Sequence, residues 1–241
     1  MDQAMIEQQG YMKGKSKHLF WVVLALLLLS VALEYLQAPL LPVIGRLADS
    51  KALPVVLAVV KTLVINGGWF VVLLMYALAC NIKTYKVVFI VLAVMQFPAA
   101  AGAFISNLYT MRMMTGRGGN GYEIILLLDV ASTLSIIVRA AWVACLAVIV
   151  FSKWSGALLR VAAATFSALS LLFIVNALTA QDLYRFLIEQ FDHGVNIAII
   201  STISILLNVL YLVASGFFFG AMSFGKQRKP KALQAAVEAA Q

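Results

Sequence analysis

Four ionisable residues, Glu34, Lys61, Asp129 and Arg139, interrupt stretches of the chain that are otherwise apolar and long enough to cross a bilayer. Charge at membrane depth is costly, so such groups face a bundle interior, a water-filled cavity or the nearest headgroups. Two anions and two cations sum to neutrality, which is the condition a satisfied intramembrane network has to meet. Arg139 and Lys61 are therefore expected to pair with Glu34 and Asp129. Asp129 and Arg139 cannot bridge within one helix, because the rise between them is about 15 Å. The partner of Arg139 has to come from another helix. The helical period places Ser132, Ser135 and Arg139 on one stripe with Trp142 at its margin, which turns the charge toward protein rather than lipid. Two readings follow. The charges lock helix packing or snorkel to the headgroups, or they line a path for a substrate or a proton.

Other chemistry finds less support. His18 and His193 lie far apart with no second His or Cys near either, so neither a metal site nor a nucleophile and base pair assembles. No cofactor and no catalytic residue is expected, and the chain reads as a non-enzyme. The stretch GRGGNG at 116–121 matches a dinucleotide-binding pattern literally, but no strand precedes it and it falls between two apolar runs, so it reads as a turn. Cys80 and Cys145, the only cysteines, sit within apolar segments and are not expected to form a disulfide.

The elements that must position these residues are helices. In 241 residues, 63% are hydrophobic and 12% charged, and the mean hydropathy is +0.97, whereas soluble domains are about one quarter charged. A span needs about 20 apolar residues. Six segments qualify, approximately 19–36, 53–80, 85–109, 122–151, 156–178 and 195–222. The expected fold is all-α, a polytopic transmembrane bundle of about six spans forming one domain over 19–225. An N-terminal segment (1–18) and a basic tail (226–241) flank it. The loop opening QAPLLP, within 37–52, reads as a turn or interfacial segment.

The net charge of +8 is a matter of topology rather than of nucleic acid. One side of the bundle carries eleven basic residues: Lys13, Lys15, Lys17, Lys83, Lys86, Lys153, Arg160, Lys226, Arg228, Lys229 and Lys231. The other carries five, Arg46, Lys51, Arg112, Arg117 and Arg185. The positive-inside rule then puts both termini in the cytoplasm and the chain in a cytoplasmic (inner) membrane.

Several small or polar residues are candidates for helix packing. Gly67 and Gly68 follow Asn66 in LVINGGWF, where they either weaken the helix or admit a close neighbour. Pro98 in MQFPAAAGAF should kink its span, and Gly216 and Gly220 form a small-xxx-small pair. Gln96, Asn176 and Asn208 read as interhelical hydrogen bonds. Between the last two spans, TAQDLYRFLIEQFDHG repeats apolar residues at helical spacing, with Thr179 and Asp182 resembling a capping box. A short amphipathic helix near 179–194 is expected on the outer surface. Asp182, Phe186, Glu189 and Asp192 there either face a protein partner or lie on lipid.

The segment NIKTYKVVFIVLAVMQFPAAAGAF, with its polar turn and mid-span proline, and the pair of spans joined through FSKWSGALLR resemble the membrane domain of bacterial Yip1-type proteins over about half the chain. The family has five spans, against six here. The resemblance implies a non-enzymatic membrane protein that works through partners. The expected function is accordingly a scaffold, assembly or immunity-type role, through a protein partner or a homo-oligomer in the lipid bilayer and without nucleic acid. The alternative is a small transporter or channel that uses the intramembrane charges.

Overall fold

The computed structural model describes residues 10–13, 16–47, 53–114, 121–190 and 193–226. In parts of the helices, including 34–47, 121–125, 180–190 and 193–198, only the course of the backbone is described. The chain is helical: α1 (Leu19–Leu47), α2 (Leu53–Thr62), a π-helical turn (Leu63–Gly67), α3 (Gly68–Ala79), α4 (Lys83–Val94), α5 (Gln96–Met114), α6 (Gly121–Phe151), α7 (Ala157–Gln190) and α8 (His193–Phe224). Five stretches among the described residues are long and apolar enough to cross a membrane: Ala58–Ala79, Lys83–Tyr109, Leu126–Phe151, Ala157–Thr179 and Ile205–Phe224. Helix α1 adds a shorter apolar piece, Leu19–Leu33. Apolar side chains exposed along these helices, such as Leu78, Phe97 and Val213, suit a lipid surround. The protein is a multi-pass membrane bundle.

Two expectations about the connections are corrected. The QAPLLP opening of the expected 37–52 loop, read as a turn or interfacial segment, is not a turn but continues α1 to Leu47, since each proline costs one ladder bond whereas a turn in an apolar setting would leave several backbone groups unpaired. Residues 179–190 are helical as expected, but as the unbroken end of α7 rather than a separate surface helix. No Gly or Pro stands between Asn176 and Gln190 to stop that helix. The Thr179 hydroxyl donates to the Val175 carbonyl, 2.9 Å, instead of capping a new start.

The tightly packed part of the bundle lies toward the end that holds both described termini. Tyr76, Phe89, Phe166, Phe218 and Phe219 are wholly buried there. Their rings form a continuous set, with Tyr76 and Phe219 centroids 5.0 Å apart, Phe218 and Phe219 5.2 Å, and Phe166 and Phe218 5.7 Å. Polar tips within this plug find partners, as buried hydroxyls must: Tyr76 with Ser223 at 2.8 Å and Tyr85 with Ser155 at 2.5 Å.

A strap of N-terminal chain seals this end. Gly10 bridges Lys226 and Met12 bridges Cys80, so the two described ends of the chain share one end of the bundle. The Lys13 amide donates to the Ala79 carbonyl, 3.0 Å, and the Asn81 amide to the Tyr11 carbonyl, 2.9 Å. Tyr11 is 1% exposed, and its hydroxyl accepts the Gly156 amide at 2.6 Å. Burial pushes the Tyr11 phenol above its ordinary range, with the Gly156 amide and the nearby Arg160 charge opposing.

Among the packing candidates, Gly220 and Gly68 make close approaches and the others do not. A Cβ on Gly220 would stand 3.3 Å from the Phe20 ring, and one on Gly68 2.8 Å from a Leu26 methyl. Gly67 and Gly216 have nothing within 4 Å of that position, so Gly216 and Gly220 do not act as a pair within the chain. Pro98 is the third residue of α5, just past Met95, which separates α4 from α5. Its missing N–H thus falls in a first turn, where it costs nothing. Cys80 and Cys145 are buried free thiols.

Candidate functional site

Above the aromatic plug, away from the strap, the bundle opens into a cavity of about 730 Å3. Helix α6 descends into it as Ser132, Ser135, Arg139 and Trp142, the four residues whose shared stripe the helical period implied. Ser132 and Ser135 are exposed, so the cavity communicates with its surroundings. The opposite wall carries Lys61, Thr62, Ile65, Asn66 and Trp69. Their spacing of four or so residues per turn is what the π-helical turn at Leu63–Gly67 produces, since it winds more slowly than an α-helix. LVING therefore does not break the helix. It re-phases α3 so that Asn66 and Trp69 share a wall with Lys61.

Gln96, Gly102, Ser106 and Asn107 come from α5, and Asn208, Tyr211 and Ser215 from α8. Of the amides expected to bond between helices, Gln96 bonds within its own chain segment instead. Gln96 Nε2 donates to the Leu92 carbonyl of the preceding turn, 3.3 Å, and Asn66 Nδ2 to Thr62, also 3.3 Å. Asn107 Nδ2 reaches the Thr62 hydroxyl across helices at 3.5 Å, which is a weak contact. The floor is aromatic, with Trp69 and Trp142 lying 5.7 and 6.5 Å from Phe219.

Arg139 departs from expectation in an informative way. Its partners do come from other helices, but among the described residues they are rings rather than carboxylates. The guanidinium carbon lies 3.9 Å from the Phe173 centroid on α7 and 5.0 Å from Tyr211 on α8. The two rings meet edge to face at 5.4 Å and form a corner around the cation. A desolvated cation over an aromatic face is stabilised by about 2 kcal/mol, enough to orient the group but not to neutralise its charge. Nη1 is buried without a hydrogen-bond partner. The side chain as a whole is only partly buried and borders the cavity.

Of the four charges singled out in the sequence, Lys61 and Arg139 line the same cavity. Lys61 already engages a partner within the protein. Asp129 is exposed and is not part of the lining. The Glu34 side chain lies outside the described residues, as do the side chains of Asp182, Phe186 and Glu189, the whole of Asp192, and 116–120 of the GRGGNG turn. No group of three or more His, Cys, Asp or Glu residues that could hold a metal ion occurs among the described residues. Phe173 and Tyr211 are not legible in the sequence, because an aromatic residue in an apolar span carries no sign of the cation it stacks on.

No family model, characterised protein or solved structure is similar to this chain.

Proposed function

We propose that the protein is a non-enzymatic, multi-pass protein of the cytoplasmic membrane that binds an anionic small molecule in this cavity, as a small transporter closed on the side of its termini. The observation that carries the reading is Arg139, held by Phe173 and Tyr211 at the edge of a polar-lined cavity of about 730 Å3. A charge at membrane depth with no bonded counter-ion among the described residues points to a ligand or ion pathway, and the volume is that of small-molecule sites. The aromatic plug and the strap obstruct passage toward the termini, as alternating access requires of one state. The excess of basic residues at the terminal end supports a cytoplasmic location for that end and an outward-facing cavity mouth.

The scaffold, assembly or immunity-type reading draws on the packing glycines, of which Gly216 meets nothing among the described residues, and on residues 182–192, whose side chains are outside the described part. The resemblance to Yip1-type proteins likewise stands on sequence features alone. The cavity is the more concrete starting point. Purified protein in liposomes tests it: anion-driven currents should appear on addition of substrate anions and vanish in Arg139→Gln with helicity unchanged. Equal currents, or none, in both proteins would remove the anion-pathway reading.

A further inference from the structure

We infer that the ligand of the cavity is an organic monocarboxylate with an apolar or aromatic portion, gripped at the carboxylate by the in-plane edge of Arg139. The inference deepens the anion-binding reading and rests on it.

The first step concerns valence. Among the described residues two basic side chains border the cavity, and Lys61 is already engaged within the protein. Arg139, whose buried Nη1 has no hydrogen-bond partner, is the cation at the cavity with an unused donor among the described residues. A singly charged acceptor is matched by that unused guanidinium donor, whereas a phosphate dianion brings a second charge into a low-dielectric site.

The second step concerns shape. The ring of Phe173, 3.9 Å from the guanidinium carbon, covers a face of the Arg139 plane. With that face covered and Tyr211 at 5.0 Å, an acceptor approaches along the edge, where the N–H groups form a flat fork. A planar carboxylate matches that fork with two parallel hydrogen bonds.

The third step concerns the rest of the ligand. Trp69, Trp142, Phe166 and Phe219 floor the cavity and favour an apolar or aromatic body. A bare inorganic anion would leave this surface wet. On α8, Tyr211 and Phe219 are eight residues apart, about 12 Å along the helix, so a carboxylate at Arg139 can carry its body down to the floor.

A soluble metabolite and a membrane-derived fatty acid share this chemistry, and the probes separate them. Full-length protein in nanodiscs is titrated with phenylacetate, neutral phenylacetamide, inorganic phosphate and palmitate, with the fluorescence of Trp69 and Trp142 as readout. Saturable quenching by phenylacetate supports a soluble source, and saturation by palmitate alone supports a lipid source. In either case phenylacetamide and phosphate should fail. Arg139→Lys keeps the charge but lacks the fork, so carboxylate affinity should drop about tenfold or more, and Arg139→Gln should lose it by about a hundredfold. Circular dichroism and thermal unfolding check that both variants fold. Arg139-dependent binding of phosphate but of neither carboxylate would overturn the carboxylate assignment and leave the anion cavity intact. Binding that ignores Arg139, or no binding of any anion to folded protein, would overturn both. Full affinity in Arg139→Lys would refute the planar grip.

Discussion

Tyr11→Phe is the most incisive test of the sealed terminal end, because it removes one oxygen and leaves the ring in place. The Tyr11 hydroxyl accepts the Gly156 amide at 2.6 Å, and Gly156 is only partly exposed. Without that oxygen the amide keeps its desolvation cost and loses its partner, which costs about 1–2 kcal/mol for a group that water reaches imperfectly. The buried ring retains its packing against Tyr85, 5.9 Å between centroids. The strap should therefore stay docked but open about five to thirty times more often. Hydrogen exchange reads this directly. The amides of Lys13 and Asn81, bonded to Ala79 and Tyr11 across the strap, should exchange faster by that factor. Amides in the middle of α6 should not change. A pH arm adds a second check. Folded Tyr11 holds its proton above the ordinary phenol range, so its contribution is fully present below about pH 10 and is lost as pH rises from there toward the raised value. Strap exchange in the wild type should accelerate above about pH 10, and Tyr11→Phe should lose its share of that slope. Unchanged exchange at Lys13 and Asn81 in the variant would refute the reasoning, since it would mean that the hydroxyl holds nothing.

Four further outcomes can be checked. Burial pushes the Cys80 thiol up to about 12, so maleimide labelling at neutral pH should be very slow in the wild type. Labelling should speed up in Tyr11→Ala, which uncovers the Met12 and Cys80 bridge. Gly225→Ala should destabilise by about 1–3 kcal/mol in thermal unfolding, because its Cβ would press on the Ala221 carbonyl and stand 2.9 Å from the Tyr11 ring. Gly216→Ala, with open space around it, should be neutral or stabilising by up to about 1 kcal/mol, whereas Gly102→Ala should cost stability through its 3.3 Å approaches to Ala131 and Leu134 on α6. Phe173→Leu should weaken Arg139-dependent anion binding less than Arg139→Gln does, because it frees the guanidinium without removing it; equal losses would contradict an orienting role for the ring.

The membrane class, the helical content and the stripe of Ser132, Ser135, Arg139 and Trp142 were legible in the sequence, because each depends on local chain properties. Bilayer thickness fixes span length, and the helical period fixes which residues share a face. The ends of helices were less legible. The prolines at 39 and 42 and the polar run after Asn176 carry turn-like signals in water, yet α1 and α7 run through them. An apolar surround penalises an unpaired backbone more than it penalises a poor helix former.

Which polar residue meets which was a matter for tertiary structure. Charge counting suggested that Arg139 needed a carboxylate, and among the described residues it stacks on Phe173 and Tyr211. The sequence could state that the charge required stabilising, but several kinds of group on other helices could supply it. Gln96, Asn176 and Asn208 carried the same ambiguity, since an amide in a span can bond its own helix, a neighbour or a ligand. Tyr11 was invisible for the same reason in reverse: nothing local marks a residue near the N-terminus as buried, and its place against Gly156 exists only once α6 and α7 have met. The sequence by itself thus determined what must be hidden from lipid. The packing of five long helices and α1 decided that Lys61 and Arg139 share a cavity, because long-range contacts set the distances between elements.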